Sequence, residues 1–327
     1  MKAIVTTNYG TPDVLELKEI KKPIPKDNEV LIKMHAATVT AGDCELRRFD
    51  IPLPVIFWLP LRIIMGILRP KKNLVQGQEM AGEIVELGKD VENFNIGDQV
   101  FGGSGMRFGA YAEYKLHRAV YPMALKPAGI SYEAAVTLTV GGQNALHFLR
   151  LANIQPGQKV LVYGATGSIG TYAVQLAQYY GAEVTAVCST PNLEYVKSFG
   201  ADKSIDYTKQ DFTTNGESYD IIFEAVGKSS FSQGLKSLKK NGIYILSNPK
   251  LLQMMRAPWI SWFSSKKVIF AFAGEKTEDL NYLAKLMEEG KIKSIIDRRY
   301  PLEETAEAHR YVEIGQKTGH VVINISD

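Results

Sequence analysis

KVLVYGATGSIGTYAVQLAQYYGA, residues 159–182, decides the fold. Residues 159–163 form a short apolar run that predicts a strand. Gly164, Gly167 and Gly170 follow at three-residue steps. From Tyr172 to Tyr180 the side chains of Val174, Leu176, Ala177 and Tyr180 recur at helical spacing and can share one buried face. Strand, glycine turn and helix in that order form the context in which a glycine motif can cradle phosphate. The start of the helix offers backbone N–H groups and a partial positive charge that suit a pyrophosphate. Gly167 lets backbone approach the phosphates, and Gly170 lets the helix pack close to the strand. Ala165 replaces the first glycine of the usual G-x-G-x-x-G, so the string reads A-T-G-S-I-G. Taken alone, such a string is an ordinary tight turn. With a second strand predicted at 183–188 it reads as a dinucleotide site made by Gly164, Ala165, Thr166, Gly167, Ser168, Ile169 and Gly170.

Outward from this turn, strand and helix alternate. Strands are predicted at 159–163, 183–187, 203–206, 220–224, 242–246 and 268–273. Helices are predicted at 170–180, 191–199, 230–239 and 277–289. Such alternation means a doubly wound parallel sheet covered by helices on both faces. Residues 1–125 read instead as mostly β, with strands at 2–6, 15–19, 29–34, 82–87, 99–101 and 111–114. Glycines crowd that region, as in a rolled, partly open barrel. From about 126 the texture changes, with helical patterns at 131–137 and 141–151. The tail returns to a polar, β-like texture and ends in HVVINI, a strand that would rejoin the first domain. The expected domains are therefore 1–125, 126–275 and 276–327, the last returning to the first.

Composition sets limits on function. The 327 residues are 45% hydrophobic and 22% charged, with a formal net charge of +3 and no basic block, so nothing asks for nucleic acid. Two cysteines, Cys44 and Cys188, cannot build a disulfide scaffold or a four-cysteine zinc lobe. MKAIVTTNYG has no apolar signal core, and a cytoplasmic location is expected. Residues 51–68, IPLPVIFWLPLRIIMGIL, are strongly apolar, but Pro52, Pro54 and Pro60 break helix geometry and Arg62 interrupts the run. A flap or short helix over a pocket is expected there rather than a membrane span. A second apolar stretch, 251–267, carries Met254, Met255, Trp259, Trp262 and Phe263. It reads as a mobile lid or subunit contact in preference to a membrane anchor.

In a dinucleotide fold, an acidic residue near the end of the second strand holds the adenosine ribose hydroxyls when NAD is preferred. Here that strand ends AVCSTPN, and no carboxylate lies between Val184 and Leu193. A carboxylate about 4 Å from a 2′-phosphate would cost on the order of 4 kcal/mol per unit charge at intermediate dielectric. Its absence favours NADPH over NADH, with Ser189 and Thr190 as hydroxyl donors. The same two residues could instead cap helix 191–199, with Pro191 in its first turn.

Several strings together resemble the medium-chain dehydrogenase/reductase superfamily over the full length. They are MKAIV with YGTPDVLEL, EVLIKMHAATVTAGD, GQEMAGEIVELGKDVENFNIGDQVFG, GAYAEY, GATGSIG, FEAVG and IIDRRYPLEETAEAHRYVEIGQKTGHVVINI. The resemblance is strongest to the zinc-independent quinone oxidoreductase and enone reductase branch, which includes zeta-crystallin-like members. It implies a Rossmann domain with a GroES-like, partly open β-barrel domain. In the zinc alcohol dehydrogenases of this superfamily a cysteine and a G-H-E histidine bind zinc. Thr40 and Gln78 stand at those places, and a hydroxyl and a neutral amide are poor zinc ligands. The third place, near Leu138–Gly142, offers no Cys, His or Glu. His35, Cys44 and Glu79 match no usual zinc spacing, with His35 on a strand and Cys44 in a loop. The resemblance thus implies no zinc. It also places Thr137 and Gly142 near the nicotinamide arm, and Ser189 and Tyr207 near the 2′-phosphate. Asn192 stands where related proteins carry a lysine. Val226 and Gly227 lie beside the ribose–nicotinamide linkage, and Phe272 lies near the nicotinamide. Thr40 and Asp43 stand where the branch shows an N-P-x-D string. Thr40 could hydrogen-bond a substrate oxygen, Gln78 could donate as well, and Asp43 is expected to be tied to Arg47 or Arg48. A homodimer pairing through edge strand 268–273 is also implied.

Zinc polarises a carbonyl so that hydride can add to carbon. A quinone or an α,β-unsaturated carbonyl delocalises the incoming charge by itself, and its oxygen needs only a hydrogen-bond donor. The expected activity is therefore hydride transfer from NADPH to such an acceptor, with positioning and water exclusion as the protein's work. The alternatives are an alcohol dehydrogenase of the same superfamily and a non-catalytic NADPH-binding sensor or structural protein.

Overall fold

The computed structural model describes residues 1–50, 61–63, 65–72, 74–104, 107–271 and 274–326. Most of the 51–68 run, and Phe272, therefore lie outside the described residues. The chain divides into two units, one of Met1–Val140, Glu275–Glu288 and Ile296–Asp327, the other of Gly141–Gly274 and Glu289–Ile295.

The first unit begins with the antiparallel pair β1 (Lys2–Thr6) and β2 (Leu15–Glu19). Then come β3 (Glu29–Val39), helix α1 (Ala41–Arg48), β4 (Glu79–Leu87), β5 (Gln99–Gly103), β6 (Tyr114–Arg118), β7 (Met123–Leu125) and helix α2 (Tyr132–Thr137). Alternation along β3 and β4 turns Val30, Ile32, Met34, Met80 and Ile84 into one core, joined by Val100, Tyr111, Val321 and Ile323. The strand predicted at 111–114 begins instead at Tyr114, because Tyr114–Arg118 pairs with Glu29–Lys33 while Ala112 makes only an isolated bridge to Ala3. Cys44, read from sequence as a loop residue, lies within α1.

The second unit opens with helix α3 (Gln143–Leu151) and β8 (Lys159–Tyr163), followed by α4 (Ser168–Tyr179), β9 (Glu183–Cys188) and α5 (Leu193–Lys197). It continues with β10 (Lys203–Asp206), β11 (Tyr219–Glu224), α6 (Phe231–Lys236), β12 (Leu238–Leu246), α7 (Leu251–Phe263) and β13 (Lys267–Phe270). All six strands are parallel, in the order β10-β9-β8-β11-β12-β13. This is the doubly wound dinucleotide order, whose switch point falls between β8 and β11. The helix predicted at 230–239 stops at Lys236, because Leu238 is already buried as the partner of Tyr219 in β12. The helix predicted at 191–199 is split into a 3₁₀ turn, Thr190–Asn192, and the short α5.

The chain then forms α8 (Thr277–Glu288), β14 (Ile296–Pro301), α9 (Thr305–Ile314) and β15 (His320–Asn324). β15 pairs with β3 in the first unit's sheet, of order β14-β15-β3-β4-β5-β7 with β6 on β3. Helix α9 was not expected in the β-like tail. Its inner residues Ala308, His309 and Val312 are buried, and Gly315, at φ +74°, ends it in the left-handed conformation glycine tolerates. No helix among the described residues is long and apolar enough to cross a membrane.

Candidate active site

The glycine turn closes β8 onto α4. Gly164 adopts φ +80°, and its N–H and that of Ala165 both reach the carbonyl of Val187 at 3.2 Å. Gly167 is the N-cap of α4 and supplies no side-chain cap, so the helix start carries no side-chain oxygen of its own there. The two later glycines do different work. A Cβ on Gly170 would lie 2.1 Å from the Gly164 carbonyl oxygen, a backbone atom that cannot give way. A Cβ on Gly167 would meet only that same oxygen, at 3.4 Å, among the described residues. Gly170 is therefore demanded by packing, whereas the space at Gly167 is open and suits a pyrophosphate.

Beside the turn stands Glu224, at the end of β11, 1% exposed. Its Oε1 accepts from the N–H groups of Val226 and Gly227 at 3.0 and 2.9 Å, and its Oε2 from that of Ser229 at 3.0 Å. The carboxylate thus fixes the loop that brings Val226 against the glycine turn, where a Cβ on Gly164 would meet Val226 Cγ1 at 2.7 Å. Sequence reasoning named Val226 and Gly227 but missed Glu224. The signal was a lone acid at the end of an apolar strand, followed by a glycine needing positive φ.

Ser189, Thr190, Asn192 and Tyr207 gather where β9 and β10 end. No carboxylate lies between Val184 and Leu193 in sequence, but the register pairs Cys188 with Asp206 and so brings one in from β10. The Thr190 hydroxyl donates to Asp206, as do the N–H and hydroxyl of Thr208 at 3.0 and 2.7 Å. Those donations from Thr190 and Thr208 hold the Asp206 carboxyl below its usual range. Thr190 therefore spends its proton on Asp206. The alternative in which Ser189 and Thr190 cap the following helix is not what forms, since Ser189 makes no side-chain cap bond and the Thr190 hydroxyl is on Asp206. Ser189 Oγ instead accepts from Asn192 Nδ2 at 3.3 Å.

In the first unit, Thr40, Asp43 and Gln78 form one cluster. Thr40 caps α1 in a reciprocal box. Its Oγ1 accepts from Asp43 N at 3.1 Å and donates to Asp43 Oδ2 at 2.7 Å, and its N–H reaches the same Oδ2 at 2.9 Å. Gln78 Nε2 donates to Asp43 Oδ1 at 3.3 Å. Burial raises the Asp43 pKa, and the Thr40 and Gln78 donations work against that rise. Asp43 is not tied to Arg47 or Arg48, as the sequence suggested, because both arginines pair with Glu313 of α9. The Thr40 hydroxyl proton is thus committed within the chain, while Gln78 has a second N–H to offer. Next to it, buried Glu79 accepts from the Thr38 hydroxyl and from Val140 N at 2.6 Å, and burial pushes its pKa up to about 7. The Thr137 hydroxyl donates to Ala134 O at 2.7 Å, and Gly142 is the N-cap position of α3.

Cys44 Sγ lies 3.5 Å from His309 Nδ1, and burial pushes the thiol up to about 12, so it is no thiolate at neutral pH. Burial also holds His309 and His117 down to about 3. Below about pH 6.5 the unfolded chain takes up protons at these positions and the folded chain does not. Each should therefore cost about 2 kcal/mol of stability between pH 7 and pH 5. Glu79 acts in the opposite direction over that window, because its raised carboxyl is protonated in the folded state first. His309→Leu should flatten the acid loss by about 2 kcal/mol in denaturant titrations at the two pH values. An unchanged pH slope would show that His309 is protonated in the folded state.

The donor set at positions 40 and 78 does not fit zinc. Among the described residues, no group of three or more His, Cys, Asp or Glu gathers as a metal site.

Comparison with known proteins adds to this geometry. Residues 26–128 match the alcohol dehydrogenase GroES-like domain, and residues 199–323 match a domain described as zinc-binding dehydrogenase. The chain is 30% identical to a chloroplast envelope quinone oxidoreductase homolog of Arabidopsis thaliana, over 99% of this chain and 98% of that one. It is 31% identical to an NADPH-dependent alkenal/one oxidoreductase of the same plant, over 99% of this chain and 79% of that one. The solved quinone oxidoreductase of Coxiella burnetii superposes with a TM-score of 0.89 at 29% identity, covering 100% of this chain and 99% of that one.

Proposed function

As the chain belongs to the medium-chain dehydrogenase/reductase superfamily, in its quinone oxidoreductase and enone reductase branch, we propose that it reduces a quinone or an α,β-unsaturated carbonyl with NADPH and without zinc. The observation that carries this reading is Thr40 and Gln78 at the two places where the zinc members of the superfamily carry cysteine and histidine. Bound at the cradle, the dinucleotide would supply a hydride. The N-terminus of α4 would hold its pyrophosphate by backbone N–H groups and dipole. The loop fixed by Glu224 would present Val226 and Gly227 to the ribose. Gln78 would donate its second N–H to the acceptor oxygen, where negative charge develops, and Asp43 would hold that amide in place. A conjugated acceptor needs no stronger electrophile than this.

NADPH is the proposed donor in preference to NADH. β9 ends without a carboxylate of its own, Ser189 and Asn192 present a hydroxyl and an amide, and the Asp206 charge is engaged by Thr190, Thr208 and Lys209. We also place the protein in the cytoplasm as a homodimer pairing along edge strand β13, a reading that light scattering would test. The decisive experiment follows nucleotide oxidation at matched NADPH and NADH with 1,2-naphthoquinone, a short enone, a simple aldehyde and a secondary ketone. Turnover of the first two, with NADPH the better donor by kcat/KM, is expected. Brisk turnover of the aldehyde and ketone with the conjugated acceptors inert would overturn the zinc-free reading. Tight NADPH binding without turnover of any acceptor would turn the protein into a sensor.

A further inference from the structure

Strand β6, Tyr114–Arg118, carries an amine where a core would take an apolar side chain. Lys115 is 4% exposed, and His117, two residues on along the same strand face, is 3% exposed. A buried ammonium is ordinarily met by a carboxylate. Among the described residues Lys115 makes no salt bridge, and its one hydrogen bond runs to the Phe108 carbonyl. Its Nζ lies against the chain at Gly109, where a Cβ would stand 3.4 Å away. The charged and titratable groups around it are Arg107, His117, Glu29 and Glu275. Arg107 Nη1 pairs with Glu29 Oε1 at 3.6 Å, and the Glu275 carboxyl stands over Gly103. Burial and the Arg107 charge push the Lys115 amine down to about 7, with Glu275 working against them. A desolvated lysine of this kind is a nucleophile near neutral pH.

The amine also has a space to receive a reactant. It lines a cavity of about 430 Å³ within the first unit, a volume suited to a small molecule. Phe108, Val75 and Leu116 give that cavity apolar walls, and the exposed Arg107 side chain puts its mouth at the surface. Arg107 and Glu29 answer each other's charge. The ammonium of Met1 borders the cavity too, but donates to Ile20 O at 2.8 Å. An entering molecule therefore meets apolar surface and the Lys115 amine, which suits an apolar body bearing an electrophilic carbonyl. We propose that Lys115 is a modification site for small apolar aldehydes. The amine nitrogen bonds to the carbonyl carbon, the carbonyl oxygen leaves as water with both amine protons, and an imine remains. The condensation uses no nucleotide and stands apart from the redox reading.

Its test uses the full-length protein without nucleotide, treated with benzaldehyde and sodium cyanoborohydride, which reduces an imine to a stable secondary amine. Peptide mass spectrometry then locates each adduct. Lys115 should be modified about fiftyfold faster at pH 7 than the exposed lysines, because its free-amine fraction is about a thousandfold larger and its lower basicity takes back part of that gain. Its rate should reach half of its plateau near pH 7, whereas the exposed lysines follow only toward about pH 10. Lys115→Arg keeps a donor for the Phe108 carbonyl and should remove this adduct alone. Leu116→Trp narrows the cavity but leaves the amine in place, and should abolish the preference for Lys115 with circular dichroism unchanged. Should that variant misfold, Val75→Phe narrows the same cavity from another wall and should give the same loss. Lys115 left unmodified, or modified no faster than the exposed lysines, would overturn the proposal, since the amine would then be a closed structural tie to Phe108. So would an adduct that forms first on the Met1 amine, or undiminished labelling of Lys115 in a folded protein with the narrowed cavity.

Discussion

Gly167→Val should weaken NADPH binding about a thousandfold while leaving the fold and the melting temperature unchanged. The backbone there, at φ −74° and ψ 168°, is an extended conformation that valine adopts readily. Its Cβ would make only an ordinary contact with the Gly164 carbonyl oxygen. Among the described residues the added Cβ meets nothing else within 4 Å. The branched side chain would instead occupy the approach to the helix start, where the pyrophosphate would accept backbone N–H bonds. Losing about two charge-assisted bonds of ~2 kcal/mol each gives the thousandfold figure. Gly170→Val supplies the contrast, because its Cβ would drive into backbone at 2.1 Å and damage folding itself. Calorimetric titration of NADPH, beside a melting curve, checks the first variant. Undiminished affinity in a folded Gly167→Val protein would reject the cradle.

The features legible in the sequence are those whose parts lie close along the chain. A strand, three glycines and a helix within residues 159–182 announce the parallel sheet and the glycine turn that closes β8 onto α4. The hydroxyl of Thr40 and the amide of Gln78 are equally local, since each is one residue in a short string. What was not legible depends on pairings between distant segments. Asp206 enters the Ser189 region only because β10 runs beside β9 in a register that sets it against Cys188. Glu224 governs the Val226 loop because β11 lies next to β8, with Glu224 level with Tyr163. His309 reaches Cys44 across 265 positions, through a helix hidden in a polar tail. One signal was available and went unread. Thr40-Ala-Gly-Asp43 has capping-box spacing, which ties Asp43 back to Thr40 rather than forward to the arginines.

That cap makes Asp43→Ala the substitution with the largest expected effect in the first unit. The carboxylate, 1% exposed, accepts from Thr40 N, Thr40 Oγ1 and Gln78 Nε2. Removing it strands these donors and opens the cap of α1, at a cost of about 3–5 kcal/mol. In a chain of this size that should lower the melting temperature by about 10 °C. Stability alone does not separate a structural acid from one that positions a reacting group, so two further variants are needed. Gln78→Leu should lower kcat/KM for the acceptor about thirtyfold, the loss of ~2 kcal/mol of hydrogen bonding to developing charge, with NADPH affinity unchanged. Asp43→Asn keeps an oxygen for the Thr40 donors but turns an N–H₂ group toward Gln78 Nε2, which must then rotate away. Its kcat/KM should fall by the same factor as that of Gln78→Leu, with melting within a few degrees of the parent. A double variant, Asp43→Asn with Gln78→Leu, should be no slower than either alone, because both act through one amide. Independent, multiplying losses would instead mean that Asp43 serves the reaction by a route other than Gln78.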